Sequence, residues 1–527
     1  MAALQFATVS FASGAALNDI NVDTKSVLII GEKASVLTDK ALPLAELALP
    51  TDFVAPIANN TTECITAYLD GRIVTVATFS HKRSRTLGPV RGDAIHELLD
   101  ANPGKGNTVL IVLLTCEEQV LPALKNNLTL KAIAVARAFP LYSNKQKKDA
   151  EKSIRVHFVL GATIANISIE IEKIQTVADA VREAGKLVDM PPNELNTKTY
   201  LEFVQRVWSE KLETTGTTIT VIAGKELEER GFEGIWNVGK GSQHPPVLIV
   251  LSHIPSTTVP VPIKSVAWVG KGITFDAGGL SIKVSGGMVG MKTDMGGTAA
   301  ILEAFVATVT NRVNTNFALH AVLCVAENSV DARSFRPDDI ITCYSGKTVE
   351  VMDTDAEGRL CLMDGVAYAS KDLAADVVVD MATLTGAQYV ATGNYHAGFI
   401  SNCEELEKDI ITSGKKSGDL CYPMVYAPEF LGVDKALPSK VADMINWKET
   451  PASSSVAGMF VGAHLVPDEK WVEGGEGKWA HIDIAFPSVA LDRGSGFGVG
   501  VLYSLAEELN EKWKKKESSL IAHSLEE

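Results

Sequence analysis

Apolar runs of strand length alternate with stretches of helical periodicity in both halves of the chain. In the first half the runs at 27–30, 73–79, 109–114, 132–135 and 156–160 read as strands, and 93–99 reads as one of the helices between them. That alternation predicts a smaller N-terminal α/β domain over residues 1–167. Ile171, Ile174, Val177, Ala178 and Val181 then share one face at helical spacing, and Pro191 and Pro192 end the pattern. A linker helix is expected at 168–190. The remaining 191–527 repeats the alternation on a larger scale. Strands are expected at 219–222, 247–251, 266–269, 317–323 and 377–379, and helices at 198–212, 298–309 and 361–371. Apolar strands without clean alternation belong to sheets covered on both faces. The expected fold class is therefore α/β in two domains, the larger C-terminal one catalytic, with a central mostly parallel sheet covered by helices. A site at the carboxyl ends of its strands is expected.

A length of 527 residues supports this division, since single cores stop growing well short of it. Hydrophobic residues at 46% and charged residues at 21% describe a globular chain, and no apolar run is long enough to span a bilayer. The opening stretch has no basic residue ahead of an apolar core, and the seven scattered cysteines form no CxxC. A cytoplasmic location is the expectation. A formal net charge of −15 argues against nucleic acid as a partner. The dense basic run at 512–516 reads as the solvated end of a helix or a frayed tail.

Chemistry concentrates in two stretches, VGKGITFDAGGLSIK (269–283) continuing to MKTDMGG (291–297), and DTDAEGRL (353–360). If metals neutralise the acids there, Lys271, Asp276, Asp294, Asp355 and Glu357 are the ligands. The run at 266–269 would end at Gly270, leaving Lys271 at a strand end and Asp276 across a loop. Asp294 stands just before a predicted helix, where a carboxylate also serves as a cap. Asp355 and Glu357 are two apart, which points both side chains one way if the segment is extended. Four carboxylates in one place repel unless cations balance them, and two divalent ions do so by simple addition. Oxygen and nitrogen ligands suit Zn²⁺, Mn²⁺, Mg²⁺ or Co²⁺ without selecting among them. Lys283 and Arg359 are the remaining cations, either salt-bridged to these acids or stabilising a developing oxyanion. Asp353 is a ligand or a turn residue, and spacing does not decide between them.

Other hydrolytic and nucleotide chemistries lack their parts. The chain has no HExxH, no GxSxG and no GxxxxGK[ST], and Gly270-Lys271-Gly272 lacks the third glycine of a dinucleotide loop. His481, in WAHIDIA, reads as a packed core residue.

DTDAEGRL resembles the NTDAEGRL signature of the leucine (cytosol) aminopeptidases, two-metal exopeptidases, and 269–283 with 291–297 is similar to their other active-site segment. VGKGSQHPPVLIVL (238–251), DMATLTGA (380–387) and WAHIDIA extend the likeness over most of the chain after residue 187. The resemblance implies two divalent ions per subunit: one held by Lys271, Asp276, Asp294 and Glu357, the other by Asp276, Asp355 and Glu357. It implies that a two-metal-activated hydroxide cleaves the N-terminal residue from short peptides with a free N-terminus. Lys283 would stabilise the gem-diolate, and Arg359 would hold a bicarbonate ion as general base. Met291, Thr383, Leu384 and Gly386 would line the substrate site, and the assembly would be a homohexamer. Asp353 stands where the signature has Asn, beside the expected pocket for the first side chain, and the added negative charge there either favours basic N-terminal residues or pairs with a nearby cation. The alternative is a family member without activity that serves as a structural or binding oligomer; such a protein should have lost ligands, and every one is present here.

Overall fold

The computed structural model describes residues 7–13, 23–32, 52–79, 84–88, 90–106, 108–115, 121–146, 152–160, 167–256, 263–427 and 433–524. The chain divides into two compact units, one of Met1–Arg182 with Lys415–Gly418, the other of Glu183–Gly414 with Asp419–Glu527. The long helix Ile167–Asp189 contains the point of division.

The first unit is built on β1 (Thr8–Ser13), β2 (Thr24–Glu32), β3 (Cys64–Leu69), β4 (Arg72–Phe79), β5 (Thr108–Thr115) and β6 (Ser153–Leu160), ordered β1-β6-β5-β2-β4-β3. Every pairing is parallel except β3 with β4, the hairpin at one edge. Val27, Ile29, Val74, Val76, Leu110 and Val112 form one buried face with Ile57. Leu28, Ile30, Ile111 and Leu113 are buried as well, so both faces of the central strands are covered. This is why β2 and β5 read as continuous apolar runs. The run at 132–135 is a correction: it lies inside the helix Leu121–Arg137, where Leu128 and 130–136 are almost all buried. A short apolar run is the same signal in a buried helix as in a strand.

The second unit carries an eight-stranded sheet. Its strands are β7 (Thr218–Ala223), β8 (Val247–His253), β9 (Lys264–Asp276), β10 (Phe317–Asn328), β13 (Val377–Ala382), β14 (Ala397–Ser401), β15 (Cys421–Pro423) and β17 (Lys478–Asp483), ordered β15-β14-β17-β13-β9-β10-β8-β7. A separate three-stranded sheet holds β11 (Ile340–Thr342), β12 (Thr348–Glu350) and β16 (Met444–Ile445). The centre of the large sheet, β17-β13-β9-β10, is parallel throughout, with antiparallel strands joining outside it. The helices Gly296–Thr310 and Gly358–Lys371 pack against β9 and are buried nearly all round.

Two expectations change here. β9 does not end at Gly270 but runs on to Asp276, so Lys271 is mid-strand and Asp276 is the last residue of the same strand. The basic run after 511 lies within the helix Val499–Ser524, and Lys512 is not merely solvated: its ammonium sits 2.5 Å from Asp409 and 3.2 Å from Glu405. The six cysteines among the described residues are free thiols, and Cys116 lies outside those residues. No helix among the described residues is long and apolar enough to cross a membrane.

Burial of the helix Gly296–Thr310 on all sides takes Glu303 with it, and neither carboxylate oxygen has a hydrogen-bond partner among the described residues. Burial pushes its acid up to about 8, with Lys211 and Lys186 opposing and Glu183 adding to the rise. The folded state thus prefers the protonated acid. Its stabilising contribution is complete below the ordinary value of 4.5 and is lost as pH rises through about 8. Glu303→Gln should therefore raise the unfolding midpoint at pH 9, by the worth of about 1–3 kcal/mol for an unsatisfied buried group, and change it little at pH 5. Thermal melts across that range check this; parallel pH profiles for the two proteins would count against it.

Candidate active site

Four segments of the second unit converge on one acidic pocket: β9 and the loop after it, the turn before Gly296–Thr310, the turn before Gly358–Lys371, and the end of β13. Lys271 and Asp276, five apart on β9, should face opposite sides of a regular strand. Between the pairs Ile273↔Ala326 and Asp276↔Asn328, however, β9 advances three residues while β10 advances two. The extra residue inverts the alternation and brings Asp276 round to the side of Lys271.

Lys271 is buried, and its ammonium lies 2.7 Å from Asp294 Oδ1 and 2.9 Å from Glu357 Oε1 and donates to the Thr383 carbonyl at 2.9 Å. Gly358 makes room for it, since a Cβ there would lie 2.7 Å from Lys271 Nζ. Asp294 does not cap the following helix, whose N-cap Met295 makes no side-chain capping bond; it accepts from the Thr383 hydroxyl at 2.8 Å. Asp276 accepts at Oδ1 from Gly278 N–H and from Asn328 Nδ2, each at 2.9 Å. Its Oδ2 is 2.8 Å from Lys283 Nζ, which also reaches Asp355 Oδ1 at 2.6 Å. Asp355 and Glu357 therefore serve different lysines. The segment between them is a turn, not the extended stretch expected, and Glu357 is the N-cap residue of the helix that follows.

One oxygen each of Asp276, Asp294 and Glu357 lie within 4.8 Å of one another. Asp294 Oδ2 and Glu357 Oε2 are buried without a hydrogen-bond partner among the described residues. Burial first, and then the neighbouring Asp276 carboxylate, push Asp294 up to about 7 and Glu357 up to about 8 against the pull of Lys271. Asp355, half-buried, is also raised by burial, with Lys283 opposing. Burial acts against both lysine ammoniums, but Asp294, Glu357 and Asp276 hold Lys271, and Asp276 and Asp355 hold Lys283, above the usual lysine range. Four carboxylates share two ammonium groups, so the pocket is short of positive charge.

Arg359 is buried in the first turn of the helix Gly358–Lys371. Its Nη1 donates to the Asn446 carbonyl at 2.8 Å, while Nε has no partner among the described residues. Burial lowers it to about 10, with Glu357, Asp353 and Asp483 opposing, and at that value it is charged at neutral pH. Asp353 is half-buried and accepts the Asp355 N–H at Oδ1, 2.8 Å away, as a turn residue does. Met291 lies half-buried in the short 3₁₀ turn Met291–Thr293. Thr383 is buried, Leu384 half-buried, and Gly386 exposed at the start of the helix Gly386–Thr392.

Several supporting residues carried no local signal in the sequence. Thr354 stitches the two motif loops together: its hydroxyl donates to the Gly278 carbonyl at 2.7 Å and accepts from Ser281 N–H at 2.7 Å. Asn328 spans the same gap, from Asp276 Oδ1 to the Thr354 carbonyl at 3.0 Å. Asp483 accepts from Leu384 N–H at 3.1 Å, the Thr385 hydroxyl at 2.6 Å and the Ser454 hydroxyl at 2.9 Å, anchoring the loop after β13. His481 is fully buried and paired with Asp380, which also accepts from the Trp479 indole at 2.8 Å, so it lies in the core.

Residues 182–503 match the sequence profile described as the cytosol aminopeptidase family, catalytic domain, and residues 25–148 match that of an aminopeptidase N-terminal domain 2. The human protein named probable aminopeptidase NPEPL1 is 43% identical over 459 residues, spanning 85% of this chain and 81% of that one. The structure of Caenorhabditis elegans leucine aminopeptidase matches with a TM-score of 0.82 at 35% identity, covering 95% of this chain and 98% of that one. The bottromycin maturation enzyme BotP, solved in complex with Mn, matches with a TM-score of 0.72 at 25% identity, covering 92% and 99%.

Proposed function

The chain belongs to the cytosol aminopeptidase family and is a peptide hydrolase, and from that premise we propose that it removes the N-terminal residue of short peptides at a pocket holding two divalent metal ions. The observation that carries this is the convergence of Lys271, Asp276, Asp294 and Glu357, with Asp294 Oδ2 and Glu357 Oε2 buried and unpartnered among the described residues. Buried carboxylate oxygens without donors are what a cation site presents. Lys271, Asp276, Asp294 and Glu357 would hold one ion, and Asp276, Asp355 and Glu357 the other. Zn²⁺ and Mn²⁺ both suit this donor set, as do Mg²⁺ and Co²⁺. When bound, such ions supply Lewis-acid polarisation of a carbonyl and lower the pKa of water.

The chain's own groups do the rest. Lys283, less buried than Lys271 and held cationic by Asp276 and Asp355, is the donor for the oxygen that gains charge as the scissile carbonyl is attacked. The Arg359 guanidinium has an Nε–H without a partner among the described residues and so can hold a small anion such as bicarbonate to take a proton. Asp483 fixes the loop of Thr383, Leu384 and Gly386, which with Met291 would line the substrate site. The assembly proposed with this reading is a homohexamer, which sedimentation reports directly.

Release of free amino acid from a dipeptide should stop on exhaustive chelation and return with Mn²⁺ or Zn²⁺. Undiminished turnover by fully chelated protein would sink the metal reading, and no turnover by fully loaded protein would favour a purely structural oligomer.

Asp353 makes no ion pair among the described residues, and its charge, which already acts on Arg359 and Asp355, can act on a substrate as well. Asp353→Asn keeps the oxygen that accepts the Asp355 N–H and removes only the charge. The ratio of kcat/KM for arginyl over leucyl dipeptides should fall by about 3–10-fold, the worth of roughly 1 kcal/mol. An unchanged ratio refutes the assignment.

A further inference from the structure

Asn446 directly follows β16, which pairs in parallel with β12 through Val349↔Met444 and Glu350↔Ile445. The pairing delivers Asn446 to the turn that leaves β12 and carries Asp353 and Asp355 toward Glu357. Its side chain is fully buried, and both ends of the amide are engaged there. Oδ1 accepts from the backbone N–H of Met352 at 2.8 Å and of Asp353 at 3.3 Å. Nδ2 donates to the carbonyl of Asp353 at 2.6 Å and of Ala356 at 3.4 Å. The Asn446 carbonyl accepts Arg359 Nη1 at 2.8 Å, and its own N–H donates to the Glu350 carbonyl at 3.0 Å. One residue, about ninety positions away in sequence, thus ties both ends of the turn at 352–356 and one cation of the pocket.

Only a side-chain amide of this length does so. An aspartate would set a second acceptor against two carbonyls, a serine has one oxygen, and a glutamine is a methylene too long. We infer that Asn446 is a positioning residue of the hydrolytic site, setting where Asp355 and Arg359 stand while touching neither substrate nor ion. The inference rests on the roles proposed above for Asp355 and Arg359. Supporting groups of this kind, when lost, typically cost about 10–100-fold in metal affinity or activity.

Asn402 supplies the comparison that separates positioning from mere folding. It is also buried in the second unit and uses its amide in the same way, donating to Trp471 and Gly477 carbonyls at 2.8 and 3.0 Å and accepting from Trp479 N–H at 2.7 Å. Those bonds hold strand ends remote from the acids. N446D and N402D are to be measured side by side with wild type: kcat and KM on a leucyl dipeptide, calorimetric titration with Mn²⁺ alone, and thermal unfolding. N446D should lose about 10–100-fold in kcat with a much smaller change in KM, and should weaken one of the two Mn²⁺ binding events. N402D should melt earlier yet keep kcat and both Mn²⁺ affinities within about twofold, and N446D should cost less in a D355A background than in wild type, because the share that acts through Asp355 is already lost and only the share through Arg359 remains. Should N446D fail to fold, Asn446→Ser retains one hydroxyl for the turn and goes through the same measurements. Equal kcat and Mn²⁺ binding in wild type and the Asn446 variant, or a loss matched by N402D, overturns the inference. A wild type that neither binds Mn²⁺ nor releases amino acid overturns instead the reading of the site beneath it.

Discussion

Replacing Glu357 with Gln or Ala should lower peptide turnover by more than about 10³-fold, beyond the usual cost of a single transition-state donor. Glu357 is, with Asp276, one of the two acids common to both proposed ion sites, and it has one oxygen on Lys271 and the other unpartnered among the described residues. The effect on stability should run the opposite way from the effect on activity. Burial and the Asp276 charge push the Glu357 carboxyl up to about 8, so without added ions its neutral isostere is at least as well accommodated. Wild type should melt at higher temperature as Mn²⁺ is added, because a ligand present at 100 times its Kd stabilises by about 2.7 kcal/mol. E357Q should show no such rise while melting, ion-free, no earlier than wild type. The pair of measurements separates a lost ligand from a damaged fold. A variant that keeps both the Mn²⁺-dependent rise and the turnover would remove Glu357 from the site.

Lys283→Ala should leave metal binding intact and reduce kcat by about 10²–10³-fold, the typical worth of one oxyanion donor in a dry site. The ammonium lies 2.8 Å from Asp276 and 2.6 Å from Asp355, and it partly neutralises two of the three acids proposed to hold the second ion. Its removal makes that pocket more negative, so Mn²⁺ should bind as tightly as in wild type or more tightly, most visibly at low salt. Calorimetric titration together with steady-state kinetics checks both halves. If K283A instead loses its ions, the lysine is part of the scaffold of the metal site and not the donor to substrate.

The two substitutions differ because the lysines, so alike in the sequence, do different work in the fold. Lys271 is enclosed by the helix Gly358–Lys371, and Gly358 is the residue whose missing side chain admits it. Lys283 lies beyond the end of β9, in the loop that Gly278 turns at φ +85° and that Thr354 clasps from the other motif. A spacing of twelve residues says nothing of this.

What the sequence determined by itself was the class of the fold and the kind of chemistry. Uninterrupted apolar runs require sheets covered on both faces, and acids between glycines in such a setting require cations; both follow from local composition and hold wherever the segments go. The same local reasoning failed at 132–135, where burial inside a helix and burial inside a strand write the same letters. Only the tertiary structure decided which acid meets which lysine. An extra residue in β9 opposite Ala326–Asn328 turns Asp276 to the face of Lys271, a turn sends Asp355 and Glu357 to separate partners, and Asn446 arrives directly after a strand distant in sequence, β16, to hold that turn. Register, bulges and buried amide bonds between distant segments depend on strands pairing across the chain, so no window of sequence around any one of these residues contains them.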